Sequence, residues 1–285
     1  MIRLEKYNPE RGDYLFFGDV HLGAFSPELD RKLEQYICDI VQYAKENQLR
    51  IVITGDLFDY WMEYRGKWPG IGKRVLECFK DANFPEPVLY VTGNHDAWPG
   101  RKLESSGFDI ETEYRILKID SLEVLVTHGD GISDPEMGLE RPPLHKFLRN
   151  KTFLKVYQAV FPPRAGIGIM RAFSKFSRDM ARSKPQDLVV SESDRRVLSI
   201  MQTSNLNKLD NWAEEITRKN AVNVVICGHD HSARIVPFRE GREMLVSPGP
   251  FFNFWSAACY TKGGFHLVNW EPDQNVFYHR KSEKA

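Results

Sequence analysis

Short apolar runs alternate with stretches of helical periodicity in the first part of the chain. Residues 14–17, 50–54, 88–92, 122–127 and 222–227 are apolar runs of strand length. After the first run, apolar residues recur every three or four positions from Leu29 to Ala44, and residues 73–80 form a shorter segment of the same kind. Strands that alternate with amphipathic helices predict α/β layering with right-handed crossovers.

The end of the chain has a different pattern. Residues 209–219 predict a helix, and alternating apolar and polar residues follow the strand at 222–227. These alternating runs lie at 233–238, 244–247, 257–260, 265–270 and 276–279. A period of two residues indicates antiparallel strands. They therefore extend the first sheet or form a second one.

One long segment, residues 132–188, interrupts the alternation. It opens with a proline-rich stretch, continues with helical apolar spacing and lies between two strands that are both followed by histidines. Long insertions at such places commonly form lids or binding surfaces. We therefore predict a core made of residues 1–131 and 189–285 and a helical cap at 132–188.

The charge of the chain is balanced overall but unevenly distributed. With 285 residues it can bury a full core, and its 39 basic and 39 acidic residues give no general attraction to nucleic acid. No nucleic-acid partner is expected. Residues 141–184, however, contain eleven Lys or Arg against Asp179 alone, which is a local charge of +10. Such a segment on a neutral protein predicts contact with an anionic ligand or surface.

The four cysteines, Cys38, Cys78, Cys227 and Cys259, show no C-x-x-C spacing. We interpret them as buried free thiols in a reducing compartment. The amino terminus has no apolar signal-peptide core, and no run approaches the roughly 18 apolar residues of a membrane span. The expected location is the cytoplasm.

Residues that bind metals well follow the predicted strands in five short clusters. The clusters are Asp19 with His21, Asp56 with Asp59, Asn94 with His95 and Asp96, His128, and His229 with His231. Side chains at the carboxyl edge of a sheet converge through the loops that follow the strands. Imidazole nitrogens mixed with carboxylate oxygens suit Mn, Fe, Zn or Co better than Ca. The pattern therefore predicts a transition-metal centre.

Different roles are expected within these clusters. The carboxylate of Asp56 has two oxygens and can bridge two cations, while Asp59 can orient a ligand from behind. His95 then stands free to donate a proton to a leaving oxygen or to stabilise charge on a phosphoryl group. Asp96 is expected to fix the tautomer of His95. The other histidines, His145, His266 and His279, are interpreted as ordinary surface or core residues.

The five clusters together resemble the signature of the calcineurin-like metallophosphoesterase superfamily: D-x-H, G-D-x-x-D, G-N-H-D/E, a lone His and G-H-x-H. The resemblance implies an αββα sandwich that holds two divalent metals, with Mn2+ the first choice. One metal is then held by Asp19, His21, Asp56 and His231, and the other by Asp56, Asn94, His128 and His229. It also implies hydrolysis by a hydroxide that bridges the two metals, with His95 assisting.

Further strings resemble a narrower family, the bacterial UDP-2,3-diacylglucosamine pyrophosphohydrolases of lipid A synthesis. They are His-Leu-Gly-Ala at 21–24, Phe-Asp-Tyr-Trp-Met-Glu-Tyr at 58–64, His-Gly-Asp-Gly at 128–131 and Leu-Arg-Asn-Lys at 148–151. The resemblance implies cleavage of a nucleotide-linked acylated sugar to UMP and 2,3-diacylglucosamine 1-phosphate, at the inner membrane surface. On this basis the expected substrate contacts are Trp61, Arg65, Arg149, Arg171, Lys175 and Arg178.

Two alternatives stay open at this point. The first is a soluble metallophosphodiesterase or phosphatase that acts on nucleotides or other small esters and uses the cap only as a gate. The second is an inactive scaffold that keeps the fold for protein binding. The complete set of candidate ligands disfavours the scaffold, because an inactive relative has no need to keep them.

Overall fold

The computed structural model describes residues 4–64, 66–180 and 207–280. The strands are β1 Leu4–Lys6, β2 Tyr14–Phe17, β3 Arg50–Ile53, β4 Val88–Val91, β5 Phe108–Glu111, β6 Tyr114–Ile119, β7 Leu122–Thr127, β8 Val224–Ile226, β9 Arg234–Phe238, β10 Glu243–Ser247, β11 Ser256–Thr261, β12 Gly264–Glu271 and β13 Val276–Arg280. The helices are α1 Pro27–Glu46, α2 Lys73–Ala82, α3 Arg101–Glu104, α4 Pro143–Leu148, α5 Lys151–Val160, α6 Pro163–Met180, α7 Lys208–Lys219 and α8 Phe251–Phe254.

Two sheets contain these strands. The larger has the order β1-β13-β12-β11-β2-β3-β4-β5, and the smaller has the order β6-β7-β8-β10-β9. Parallel pairing joins β2, β3, β4 and β5 in the first sheet and β7, β8 and β10 in the second. The carboxyl ends of the parallel strands in each sheet therefore lie at one edge, where the candidate ligands follow.

Alternation of buried side chains along the strands explains the layering. On β2, Leu15 and Phe17 pack in the core cluster that includes α1 and α2, while Phe16 packs in a different cluster with residues of the second sheet. Successive strand residues point to opposite faces, so a strand buried on both sides contributes to two cores. Helix α7 covers the outer face of the smaller sheet through Trp212 and Ile216. The predicted αββα sandwich is confirmed.

The cap helices α4, α5 and α6 pack on the core through a small aromatic cluster. Met62, Tyr64 and Trp98 of the core contact Tyr157 of α5, and the Trp98 indole donates a hydrogen bond to the Leu148 carbonyl at 2.7 Å. A helical cap follows the core strands as predicted. The division into a core of 1–131 and 189–285 and a cap of 132–188 stays a prediction, and residues 181–206 lie outside the described residues.

The cysteine interpretation is wrong for two of the four residues. Cys38 of α1 and Cys78 of α2 form a disulfide, with their Cα atoms 5.6 Å apart. The two helices pack side by side over the same sheet face, which brings together cysteines 40 positions apart in sequence. Cys227 and Cys259 are buried free thiols as expected. Among the described helices, none combines the length and apolar character that crossing a membrane requires.

Candidate metal centre

The candidate ligands occupy the loops that leave five parallel or central strands. Asp19 and His21 follow β2, Asp56 follows β3, and Asn94 follows β4 in the larger sheet. His128 follows β7, and His229 and His231 follow β8 in the smaller sheet. The Gly228 amide donates to the His128 carbonyl at 2.9 Å, which ties two of these loops together. Both sheets therefore contribute side chains to one site.

Five of these residues have a left-handed backbone. The φ angles are +48° at Asp19, +51° at His21 and Asp56, +70° at His229 and +53° at His231. This region disfavours residues that carry a Cβ atom, by about 1–2 kcal/mol per residue. Strained backbone conformations of this kind cluster at functional sites, because there they direct a side chain towards a ligand. The strain therefore marks these loops as a site independently of their sequence motif.

The first set of donor atoms consists of Asp19, His21 and His231. His231 Nε2 lies 3.5 Å from Asp19 Oδ1 and 3.4 Å from His21 Nε2, and His21 Nε2 lies 3.9 Å from Asp56 Oδ2. Donor atoms of Asp19, His21 and His231 all lie within 4.8 Å of one another. Two imidazole nitrogens that face each other beside carboxylates are arranged as ligands of a common cation.

The second set centres on His128. Its Nε2 lies 3.3 Å from Asp56 Oδ2 and 3.2 Å from Asn94 Oδ1, and its Nδ1 lies 2.9 Å from the Thr54 carbonyl. A carbonyl only accepts, so it fixes a proton on Nδ1 and turns Nε2 toward the carboxylate and the amide oxygen. With Nε2 deprotonated, three acceptors face one another. This arrangement fits a cation, and Asp56 is shared by both sets.

The charges at the site also favour cation binding. Burial alone raises the pKa of Asp56, but His128, His95 and His21 beside it hold that pKa well below its usual range. Burial, together with His95, lowers the pKa of His21 to about 3. Burial, together with His128, lowers the pKa of His229 to about 4. At neutral pH Asp56 is therefore ionised and His21 and His229 are neutral, which are the states that bind metals. Burial lowers the pKa of His128, but Asp56 beside it raises that pKa to about 10, so a cation that binds at Nε2 has to displace a proton.

Two glycines leave room for the donor atoms. A Cβ atom at Gly228 would lie 2.5 Å from Asp19 Oδ2, and one at Gly93 would collide with the Asp56 carboxylate and lie 2.8 Å from His128 Nε2. Side chains at these positions would occupy the space between ligands. The glycines of the G-N-H-D and G-H-x-H motifs are thus required by close approach of the donors, and not only by the turn.

His95 lies at the edge of the two sets, with its ring centroid 4.8 Å from that of His21. Its Nδ1 donates to the Asp59 carbonyl at 2.6 Å, and the Asp59 carboxylate lies 3.8 Å away. Ser174 of α6 also reaches this point and donates to the Asp59 carbonyl at 2.9 Å. This leaves Nε2 of His95 as the atom that can meet a substrate oxygen. The contact of Ser174 had no signal in the sequence, because it depends on how the cap folds back.

The expectation for Asp96 is wrong. Its carboxylate is fully buried and accepts hydrogen bonds from the Leu57 amide at 2.9 Å, the Gly93 amide at 2.6 Å and the Tyr90 hydroxyl. Asp96 therefore braces the loop that carries Asn94 and His95 from below. Asp59, in the loop after β3, orients the His95 ring instead, because its carbonyl accepts the hydrogen bond from His95 Nδ1.

The predicted substrate contacts fall into three groups. Trp61 is 2% exposed and packs on Phe58 and Trp68 in the core, so it supports the site without a free surface. Arg149 binds the Asp130 carboxylate and the Thr92 and Thr112 carbonyls. Both residues therefore differ from the prediction. Arg171 and Lys175 are exposed on α6 and stay candidates, whereas Arg65 and the side chain of Arg178 lie outside the described residues.

A buried ion network holds the loop of His229 and His231. Arg234 Nη2 lies 2.6 Å from Asp210 Oδ1 and 2.6 Å from Asp230 Oδ2, with the Arg234 side chain 2% exposed. Asp230 separates the two histidines in sequence, and its carboxylate also accepts a hydrogen bond from the side-chain Nδ2 of Asn207 at 3.0 Å. The network thus links the start of α7 to the metal-ligand loop.

Replacing Arg234 with methionine should lower the free energy of unfolding by about 3–5 kcal/mol, because the buried carboxylate of Asp210 and the partly exposed carboxylate of Asp230 lose their partner. Urea unfolding followed by circular dichroism measures the change. Arg239→Met is the matched control: Arg239 pairs with Glu243 at 2.9 Å but its side chain is 46% exposed, so a change of about 0–1 kcal/mol is expected. Equal effects of the two substitutions would contradict this role of the network.

Known proteins share part of this sequence. Proteins named UDP-2,3-diacylglucosamine hydrolase from Histophilus somni and Escherichia coli are each 23% identical to this chain. The alignments cover 77% of this chain and 84% of the first protein, and 89% of this chain and 94% of the second. A solved phosphoesterase from E. coli matches 95% of this chain and 100% of its own, with a TM-score of 0.42 at 14% identity.

The family model of the calcineurin-like phosphoesterases matches residues 13–233, which include every candidate ligand from Asp19 to His231. This match spans most of the 285 residues. The chain therefore belongs to the calcineurin-like phosphoesterase family.

Proposed function

We propose that this protein is a dinuclear metal-dependent hydrolase that cleaves the pyrophosphate bond of UDP-2,3-diacylglucosamine. The products are UMP and 2,3-diacylglucosamine 1-phosphate. The observation that carries the hydrolytic part is the convergence of two donor sets on one shared carboxylate, Asp56. The named relatives support the choice of substrate through alignments over most of both chains.

In the proposal, Asp19, His21, Asp56 and His231 hold one divalent cation, and Asp56, Asn94, His128 and His229 hold the other. Mn2+ is the proposed ion, with Fe, Zn or Co as alternatives. When bound, the pair supplies an activated water and positive charge for the phosphoryl oxygens. Asp59 holds the His95 ring through Nδ1, so that Nε2 faces the phosphoryl group and, when the ring is an imidazolium, donates to one of its oxygens.

The cap supplies two further features that suit an acylated, anionic substrate. Large apolar side chains are exposed on its helices: Leu144, Phe147, Val156, Val160, Ile169 and Phe176. Arg171 and Lys175 are exposed on α6 among them. Apolar and basic groups side by side fit acyl chains and a phosphorylated headgroup. We propose that this face also rests on the cytoplasmic surface of the inner membrane.

Acyl chains should dominate substrate choice. Each buried CH2 contributes about 0.8 kcal/mol, so burial of a few methylenes is enough for a preference of about 100-fold in kcat/KM. The assay compares UDP-2,3-diacylglucosamine with UDP-N-acetylglucosamine and with a cyclic nucleotide, each with Mn2+ present. Equal kcat/KM with and without acyl chains would reject the lipid substrate and favour the small-ester phosphodiesterase.

A further inference from the structure

His145 is the third residue of the cap helix α4 and lies beside the metal centre. Its ring centroid is 6.5 Å from that of His229, which in turn is 5.1 Å from the ring of His128. The side chain of His145 is 24% exposed, so it is neither buried in a core nor free on the surface. This position differs from the interpretation of His145 as an ordinary histidine.

Two arginines fix the segment that carries this ring. Arg141, four residues before His145, donates to the Gly131 carbonyl at 2.5 Å and to Glu113 at 3.0 Å. Arg149, four residues after it, donates to the Thr112 carbonyl at 2.6 Å and to Asp130 at 3.2 Å. Because both sides of His145 are tied to the core, its place beside the metal centre is part of the fold.

The polar surroundings of the ring leave one nitrogen for a ligand. His145 Nδ1 is 3.9 Å from Asp130 Oδ2, which is beyond hydrogen-bonding range, so Asp130 does not fix a proton there. Arg141 and Arg149 lie 3.6 and 3.2 Å from the same carboxylate oxygen and balance its charge. Because Nδ1 has no hydrogen-bond partner among the described residues, the neutral ring can keep its proton on Nε2, on the far side of the ring, and act as a donor there.

We propose that His145 Nε2 donates a hydrogen bond to a non-bridging oxygen of the substrate phosphoryl group on the His229 side of the centre. The inference rests on the proposed phosphate-ester hydrolysis and adds a cap residue to it. His95 and His145 then contact the phosphoryl group from two different elements, the β4 loop and the cap. The second contact could not be predicted from the sequence, because His145 belongs to none of the metal-ligand motifs.

The test compares His145→Leu with His145→Gln, since the glutamine amide can replace the Nε2 donor and leucine cannot. We expect His145→Leu to lower kcat/KM by about 10- to 100-fold, as for loss of a hydrogen bond to a charged group. His145→Gln should keep activity within about fivefold of the wild type. Bound Mn2+, measured by mass spectrometry of metal content, and the melting temperature should be unchanged in both.

Lys146→Gln is the matched control, because Lys146 is the exposed neighbour on the same helix and should leave kcat/KM unchanged. The assays use UDP-2,3-diacylglucosamine and bis(p-nitrophenyl) phosphate, which has a phosphodiester but no uridine or acyl chain. If the wild-type protein cleaved only bis(p-nitrophenyl) phosphate, the lipid substrate would be rejected. The effect of the His145 variants could then still be measured on that ester. Wild-type activity of His145→Leu on whichever of the two substrates the protein cleaves would reject the proposed hydrogen bond from His145. Loss of activity together with loss of bound Mn2+ would also reject it.

Discussion

Replacing Asp56 with asparagine is expected to lower kcat/KM by about 1000-fold or more. The substitution removes one charge from the carboxylate that both donor sets share, and each 1.36 kcal/mol of lost stabilisation is a tenfold loss of rate. Asparagine tolerates the left-handed backbone at this position and can still accept from the His95 amide, which lies 2.9 Å from Asp56 Oδ1. The loss of activity would therefore report on charge and not on misfolding.

Metal analysis completes this experiment. The content of Mn2+ after dialysis should fall from about two ions per chain to one or none, since the bridging ligand is weakened for both. The melting temperature without metal should fall, because the histidines around Asp56 hold its pKa well below its usual range and so stabilise the ionised carboxylate in the folded state. The assays are therefore run below that melting temperature. Asp81→Asn on the exposed side of α2 is the control, with activity and metal content expected to match the wild type. An active Asp56→Asn protein with two bound ions would exclude a bridging role.

Replacing His95 with alanine should lower kcat/KM by about 100- to 1000-fold while the metal content stays the same. His95 does not belong to either of the two proposed metal-ligand sets, and its ring is held from behind by the Asp59 carbonyl at 2.6 Å. Its loss removes a donor to the phosphoryl group without removing a ligand. Steady-state kinetics and metal analysis on the same preparation measure the two effects separately.

The control for this prediction is Asp59→Asn. The backbone carbonyl that accepts from His95 is retained, while the carboxylate 3.8 Å from Nδ1 loses its charge. A smaller loss than that of His95→Ala is expected, because the ring keeps its position. If His95→Ala lost metal in proportion to activity, His95 would be a ligand. Unchanged kinetics would remove it from the mechanism altogether.

The sequence predicts the core well because each central strand is buried on both faces. Apolar runs such as 88–92 need no partner to be recognised, and β4 covers nearly the same residues. β5 and β6 were missed, since polar residues such as Glu111 and Lys118 interrupt their patterns at the edges of the two sheets. Edge strands bury less surface and therefore have weaker patterns.

Site residues that directly follow a strand could be predicted from the sequence. Site residues that reach the metal centre only through tertiary packing could not. Asp19 and His128 could be placed from the ends of β2 and β7, because parallel strands present their ends at one edge. The contacts of Ser174 and His145 depend on how the cap folds onto the core. The pairing of Cys38 with Cys78 likewise depends on helix packing. Such contacts join distant parts of the chain and have no local pattern.

The left-handed backbone at Asp19, His21, Asp56, His229 and His231 sets a limit on how heat-resistant this protein can become without losing its chemistry. Glycine or asparagine at these positions would relieve the backbone strain. Stabilising mutations of this kind are easy to find where function does not select against them. Glycine would delete the donor atom, and asparagine would replace a carboxylate or an imidazole by a neutral amide. A protein under selection for hydrolysis must therefore gain thermal stability through substitutions elsewhere in the molecule. A relative that has lost the activity can accept glycine or asparagine at these five positions.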